Sequence, residues 1–313
     1  MAQKILIIQT AFIGDVVLAT ALLESIHQQN PAASISILVR KGNEALLNAH
    51  PFIDQVLVWD KQQNKYANWL QILFAIRKSQ FDAVINVQRY AATGLWTALS
   101  GAKMKIGFDK NPLAFLFTNT IKHEFVGNGL HEIERNHALL SPLGKFPNAK
   151  PALYPSSQDQ KAVEGYQAKP YLCMAPASVW YTKQFPRHLW IKLLNSIPFE
   201  GPIYLLGGPG DKHLNDQILQ AVQNPNLVNM AGRLSFLASA SLQKGAVLYN
   251  LNKVYTQTQN TQAEGSALWV SHPKFPGSFL YRKKNYHAGD INLFYVDVRK
   301  DASRRIGYFL KAK

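Results

Sequence analysis

Two rhythms of apolar residues alternate along this chain: short, continuous β-branched runs, and longer stretches with helical spacing. Residues 4–9 form the first run, whose unbroken Ile5-Leu6-Ile7-Ile8 block suits a strand buried on both faces. Over 16–29 the apolar residues Val17, Ala21, Leu22 and Ile26 recur on one stripe, and Pro31 stands just beyond the helix they predict. The same grammar predicts strands over 34–39, 55–59 and 83–87, and helices over 43–49 and 69–79. Residues 105–108 and 120–125 read as further short strands and 131–140 as helix. Strands alternating with helices build βαβ units, so the expected fold is α/β with a parallel sheet covered on both faces.

Prolines, serines and glutamines over 146–169 interrupt the apolar periodicity, and the stretch reads as a linker holding one short amphipathic helix. The alternation then restarts, with strands over 171–175, 203–206 and 227–230 and helices over 188–195, 212–222 and 235–243. A chain of 313 residues exceeds what one hydrophobic core usually organises. Two Rossmann-like domains are therefore expected, 1–160 and 161–313, sharing an alternation but no detectable sequence repeat.

Charge narrows the partners. The chain has 34 Lys and Arg against 19 Asp and Glu, a formal charge of +15, which suits nucleic acid, acidic lipid, lipopolysaccharide phosphates or nucleotide-sugar phosphates. Nucleic-acid motifs are missing. The single cysteine, Cys173, rules out an intramolecular disulfide and a cysteine-based metal site, and fits a reducing cytoplasm. No run approaches the roughly 18 apolar residues that span a bilayer, and the N-terminal apolar run is too brief for a signal peptide. Membrane contact, if any, is expected to be peripheral.

Three turns carry candidate chemistry. In open α/β sheets ligands sit outside the carboxyl ends of the strands, where residues 10–15 follow the first strand. Gly14 permits close approach, and Asp15 reads either as a helix cap or as a catalytic carboxylate. One glycine is not a dinucleotide fingerprint, and Val39-Arg40-Lys41 places no acid after the second strand, which argues against an NAD-type oxidoreductase. In the loop 174–186, the Ser178 hydroxyl and the Lys183 ammonium suit phosphate oxygens, and Trp180 and Tyr181 suit an apolar anchor. The plainer alternative is a surface loop with a solvated lysine. Gly207 and Gly208 follow a strand and precede a helix, a place for phosphate or ribose, although glycines also end strands for steric reasons alone. The nine histidines are scattered without three-ligand metal spacing, and there is no Gly-x-Ser-x-Gly nucleophile elbow.

Taken jointly, Lys4–Ile8 with Ile13-Gly14-Asp15-Val16-Val17-Leu18-Ala19-Thr20, Ala175–Ser178 with Lys183–Pro186, and Met230-Ala231-Gly232-Arg233-Leu234-Ser235 resemble the ADP-heptose:lipopolysaccharide heptosyltransferases, glycosyltransferase family 9. Ile106-Gly107-Phe108 and His131–Asn136 are similar to further landmarks of that family, and the resemblance covers residues 1 to about 248. It implies a GT-B fold, two Rossmann-like domains facing across a cleft. The N-terminal domain would take the lipid A-linked inner-core acceptor and the C-terminal domain ADP-heptose or a similar nucleotide sugar. Transfer would be inverting and need no metal, on the inner face of the cytoplasmic membrane. By position, Asp15 matches the general base, Ser178 and Lys183 the donor-phosphate loop, and Gly207 and Gly208 the nucleotide turn. Gly14, Arg89 and Arg135 are the acceptor-side candidates.

Past Leu248 the chain departs from the family pattern. The expected Asn-Asp-Ser/Thr-Gly/Ala-Pro-x-His-Leu-Ala type motif is replaced by Tyr249-Asn250-Leu251-Asn252-Lys253, and 249–313 show clustered Lys and Arg with little helical periodicity. This tail reads as foreign to the fold, of the kind a shifted reading frame or a fusion leaves, or else as a genuinely divergent basic extension, membrane-facing or disordered. The alternative to a transferase is accordingly a non-catalytic or truncated relative that binds acceptor or nucleotide without turnover.

Overall fold

The computed structural model describes residues 3–62, 64–123, 131–178, 184–197 and 199–251, with four short strand segments beyond them, at 268–269, 279–280, 294–296 and 307–309. Two compact units divide the chain, Met1–Tyr154 and Pro155–Lys313.

The first unit runs β1 (Lys4–Ile8), α1 (Ile13–Gln29), β2 (Ser34–Arg40), β3 (Ile53–Trp59), α2 (Lys65–Ser79), β4 (Ala83–Asn86), α3 (Ala91–Leu99), β5 (Met104–Phe108), β6 (Asn119–Ile121) and α4 (Glu132–His137). Its six strands lie in the order β3-β2-β1-β4-β5-β6, and every pairing is parallel. The continuous apolar runs are explained by burial on both faces. Ile5, Ile7, Ile35, Ile37 and Ile85 meet Leu22, Leu23 and Ile26 of α1 on one side. Leu6, Ile8, Leu38 and Val84 meet Ile72 and Ile76 of α2 and Trp96 of α3 on the other. Each such side chain contributes roughly 1.5–3 kcal/mol by leaving water. Three indoles lock α2 and α3 together: Trp69 stacks on Trp96 at 5.5 Å, Trp59 meets Trp96 edge-on at 4.8 Å, and Trp96 Nε1 donates to the Trp69 carbonyl at 3.0 Å.

Besides shifted ends, as in α2 and β6, three elements differ from the expectations in kind. The helix over 43–49 is a single 3₁₀ turn, Glu44–Leu46. The helix over 131–140 is α4 followed by a 3₁₀ stretch, Ala138–Leu143, with Pro142, which has no N–H to donate, inside it. Helix α3 carries no element in the sequence reading, because Thr93, Gly94 and Thr97 are weak helix formers. Tertiary contact decides it instead. A Cβ on Gly94 would overlap the Asn111 side chain, so the glycine is what lets that loop close onto the helix.

The second unit runs α5 (Ser157–Glu164), β7 (Leu172–Ala175), α6 (Arg187–Ser196), β8 (Ile203–Leu205), α7 (Lys212–Ala221), β9 (Leu227–Asn229), α8 (Phe236–Gly245) and β10 (Leu248–Leu251). Its sheet order is β10-β7-β8-β9, again wholly parallel. Helices α6 and α7 cover one face through Trp190, Leu194 and Ile218. On the other, α8 packs through Ala238 and Leu242, joined by the fully buried Val163 of α5. The short helix of the Pro-rich stretch is therefore part of this core. Strand β10 carries the sheet past the point where the resemblance stops: Tyr249, Asn250 and Leu251 pair with Cys173, Met174 and Ala175. Further on, β11 (Leu268–Trp269) pairs antiparallel with β12 (Phe279–Leu280), and β13 (Phe294–Val296) with β14 (Gly307–Phe309). The remainder of the expected foreign tail lies outside the described residues.

Candidate active site

In the first unit the polar residues gather where the parallel strands end. Helix α1 starts at Ile13, three residues before the expected start, so Gly14 and Asp15 occupy its first turn. Phe12 holds the N-cap position but has no side-chain acceptor, and Asp15 supplies one from inside the helix. Its Oδ2 accepts the Phe12 N–H at 3.1 Å while its own N–H donates to the Phe12 carbonyl at 3.0 Å. The carboxylate is half-buried, and it also complements the positive end of the helix. Gly14 is exposed, and a Cβ there would meet no atom within 4 Å. Nothing in the protein's own packing requires glycine at this point.

Neighbouring strand ends hold the β1–α1 loop in place. Asn43 donates to the Ala11 carbonyl at 2.9 Å, Gln88 donates to the side chain of the buried Gln9, and Lys61 reaches the Thr10 carbonyl at 3.5 Å across the Trp59 ring. The Arg40 guanidinium lies 4.6 Å above the Phe12 ring. These supporting residues escape sequence inspection, since each sits 28 or more positions from the residue it touches.

Arg89 is exposed on the loop that follows β4, the strand next to β1. Arg135 lies on α4, which packs against α1, and pairs with Glu132 one turn away. His123, just after β6, links the two arginines: burial lowers its pKa first, and the positive charges of Arg135 and Arg89 lower it further. Arg89, His123 and Arg135 thus share one electrostatic neighbourhood, while the His123 backbone N–H is fixed on Asp109 at 2.8 Å. The sequence reading missed His123 because it placed that residue inside a strand over 120–125, whereas β6 ends at Ile121 and leaves His123 on the loop that follows.

The second unit repeats the plan. Ser178 follows β7 and is half-buried, with its carbonyl accepting from Gln184 at 2.8 Å. Lys183, with Trp180 and Tyr181, lies outside the described residues. After β8 the chain turns at Gly207 and Gly208. The Asp211 carboxylate accepts the Gly208 N–H at 2.7 Å, and a Cβ on Gly207 would come within 2.8 Å of the Asp211 Cβ. Glycine is sterically required here, unlike at position 14. The turn after β9 is stitched to this one: the Gly232 N–H donates to the Gly207 carbonyl at 3.0 Å, and Gly232 takes a φ of +73° against Pro209. Beneath them Asn229 donates to Asp216 at 2.7 Å and accepts from the Ala231 N–H at 2.9 Å, and the fully buried Asn215 donates to the Leu205 and Leu206 carbonyls. Neither asparagine was singled out in the sequence, where each reads as an ordinary helix or strand position.

Cys173 is buried in β7, and burial pushes its thiol up to about 12, far from a usable nucleophile. Among the described residues no three His, Cys, Asp or Glu converge in a way that would hold a metal ion.

The chain is similar to several known proteins. Lipopolysaccharide heptosyltransferase 3 of Escherichia coli is 23% identical over 252 residues, 76% of this chain and 74% of that protein. The crystal structure of a glycosyl transferase family 9 protein from Veillonella parvula superposes with a TM-score of 0.68 at 16% identity, covering 80% of this chain and 75% of that one. An E. coli heptosyltransferase solved with ADP-2-deoxy-2-fluoro heptose gives a TM-score of 0.66 at 17% identity, over 80% of this chain and 83% of that one. These likenesses bear out the GT-B fold class expected from the sequence. The model of glycosyltransferase family 9 (heptosyltransferase) matches residues 69–249, more than half of the sequence. This chain belongs to glycosyltransferase family 9, the heptosyltransferases.

Proposed function

We propose that the chain moves a heptose from ADP-heptose to a lipid-linked inner-core acceptor of lipopolysaccharide, with inversion and without a metal ion. The observation that carries this reading is the half-buried Asp15 carboxylate in the first turn of α1, at the carboxyl edge of a parallel sheet that also presents Arg89 and Arg135. Asp15 takes the proton of an acceptor hydroxyl as that oxygen attacks the anomeric carbon. The bond from the anomeric carbon to the β-phosphate oxygen breaks, and ADP leaves with its electron pair. The open space at Gly14 leaves room for the acceptor, and the two arginines attract its anionic groups. Ser178 and Lys183 hold the donor phosphates, and Lys183 neutralises the charge that develops on ADP. The nucleotide lies against the Gly207-Gly208 turn.

The acceptor being lipid-linked, the protein works at the anionic inner face of the cytoplasmic membrane. Among the described residues no helix is long and apolar enough to cross a membrane, so the association we propose is peripheral. Support for the donor comes from the E. coli heptosyltransferase solved with an ADP-fluoroheptose.

A second reading rests on one observation: the family match ends at residue 249, where the family's donor motif is replaced by an unrelated sequence. That reading is a relative that binds acceptor or nucleotide without turnover. Isothermal titration with ADP-heptose, followed by a transfer assay on delipidated inner-core acceptor, separates the two. Donor binding with transfer supports the enzyme; donor binding without transfer leaves the binder; no heat with ADP-heptose sinks the transferase.

A further inference from the structure

Helices α2 and α3 both connect strands of the first sheet, so they lie side by side on one face and run antiparallel to the strands. Their inner sides are buried through Ile72, Ile76 and Trp96. Their outer sides are not polar, as those of a water-facing helix would be. Tyr66, Leu70 and Phe74 follow one another at four-residue intervals on α2, with Tyr66 80% and Phe74 67% exposed. Leu95 and Leu99 do the same on α3. Of the eleven exposed large apolar or aromatic residues among those described, five fall on these two helices. The Trp69 and Trp96 hydrogen bonds between α2 and α3, and the Arg77 guanidinium on the Leu99 carbonyl at 2.9 Å, hold the two stripes in one surface. A contiguous apolar surface of this kind marks an interaction face.

Charge identifies what covers it. Neither helix contains an acidic residue. Across 61–123 there are nine Lys and Arg against two acids, Asp82 and Asp109, and both acids accept backbone N–H groups, from Lys4 and His123 respectively. Exposed Arg77 and Lys78 flank the C-terminal end of the α2 stripe, and exposed Lys103 follows α3. Apolar side chains bordered by cations and free of carboxylates match the boundary of an anionic bilayer, where acyl chains receive the one and headgroup phosphates the other. A second copy of this basic surface would meet like charge.

We propose that the outward face of α2 and α3, with Tyr66, Leu70, Phe74, Leu95 and Leu99, docks on an anionic lipid bilayer. Because the helices run against the strands, their N-terminal ends lie at the carboxyl edge of the sheet, and Tyr90, which caps α3, adjoins Arg89. Docking by this face therefore holds the acceptor-side residues at the headgroup level. This assignment deepens the lipid-linked acceptor reading and rests on it for its biological sense, but its test does not depend on transfer.

The test is co-sedimentation of the full chain with vesicles of phosphatidylcholine alone or mixed with phosphatidylglycerol, containing neither acceptor nor sugar donor. Wild type is expected to bind the anionic vesicles at least tenfold more strongly than the neutral ones. The double variant Leu70→Ser/Phe74→Ser should lose roughly tenfold of that binding, and Lys78→Glu/Lys103→Glu should fall toward the neutral-vesicle level. All four side chains are exposed, so thermal melting of both variants should match wild type, which excludes misfolding. Anionic-vesicle binding unchanged in the serine variant overturns the proposal, as does wild type that fails to bind. Self-association in sedimentation velocity that the serine substitutions abolish, with vesicle binding retained, assigns the face to a second copy instead. Vesicle binding in a chain that shows no transfer upholds the docking face while removing the transferase reading.

Discussion

Asp15 and Phe12 close the first turn of α1 on each other, the Asp15 Oδ2 accepting the Phe12 N–H at 3.1 Å and the Phe12 carbonyl accepting the Asp15 N–H at 3.0 Å. The residue proposed as the base is therefore also a structural cap, and any test must separate the two roles. Asparagine caps helices as well as aspartate does, but its amide takes no proton. Asp15→Asn is expected to abolish transfer while leaving the melting temperature and ADP-heptose affinity near wild type. Asp15→Ala should lose about 1 kcal/mol of stability in addition. Unchanged turnover in Asp15→Asn removes the base role, and a large drop in its melting temperature shows that the cap alone was lost.

Glycine-to-alanine substitutions should behave oppositely at the two turns. At Gly207 a Cβ would sit 2.8 Å from the Asp211 Cβ, so the turn must shift and the Gly208 hydrogen bond suffers. Gly207→Ala is expected to destabilise the protein by about 1–3 kcal/mol and to weaken ADP binding. At Gly14 the Cβ meets nothing and lies on a helix, so Gly14→Ala should leave stability unchanged or raise it by about 0.5–1 kcal/mol. A rise in acceptor KM in that stable variant would place the acceptor against Gly14. Denaturant titration beside steady-state kinetics reads both.

Lys183→Ala should weaken donor binding and turnover together, roughly tenfold to a hundredfold, the range of a lost hydrogen bond to a charged group. Titration with ADP and with ADP-heptose measures the loss. Donor affinity within twofold of wild type would leave Lys183 a solvated surface lysine.

His50 gives the first unit a stability that fades in acid. It is packed among Phe52 at 4.4 Å and Tyr154 at 4.7 Å, and burial, reinforced by the charge of His27, holds its pKa down to about 4 from 6.5. A lowered folded-state value means that the unfolded chain binds the proton first. The contribution is complete above about 6.5 and is lost as pH falls toward 4, by about 3 kcal/mol at most. Glu24, pushed upward by burial, contributes the opposite slope, so a comparison of variants isolates His50. In His50→Phe the decline in melting temperature between pH 6.5 and pH 4 should be shallower than in wild type; parallel curves would show that His50 does not couple to folding.

Much of the fold was legible because parallel strands buried on both faces leave an unambiguous trace, as in Ile5–Ile8 and Ile35–Val39. What was illegible depended on partners distant in sequence. Gly94 reads as a helix breaker until Asn111 is found against it. The start of α1 was placed late because a helix start is recognised by its capping side chain, and Phe12 has none; Asp15 acts from three residues inside. The same holds for the site. Asp15 and the Gly207-Gly208 pair stand out in their turns, whereas Asn43, Gln88, His123 and Asn215 acquire meaning only once the sheet brings them to those turns.

Cys173 sits in β7 between β8 and β10, only 1% exposed, and is the chain's one thiol. A thiol reagent added to the native protein can react only when that sheet parts, so its labelling rate reads the opening of the second unit while the first contributes no signal. The same silence leaves the surface free for chemistry. A cysteine introduced on the outer face of α2 would be the sole site modified in the folded chain, and a fluorophore placed there would report its own immersion alone.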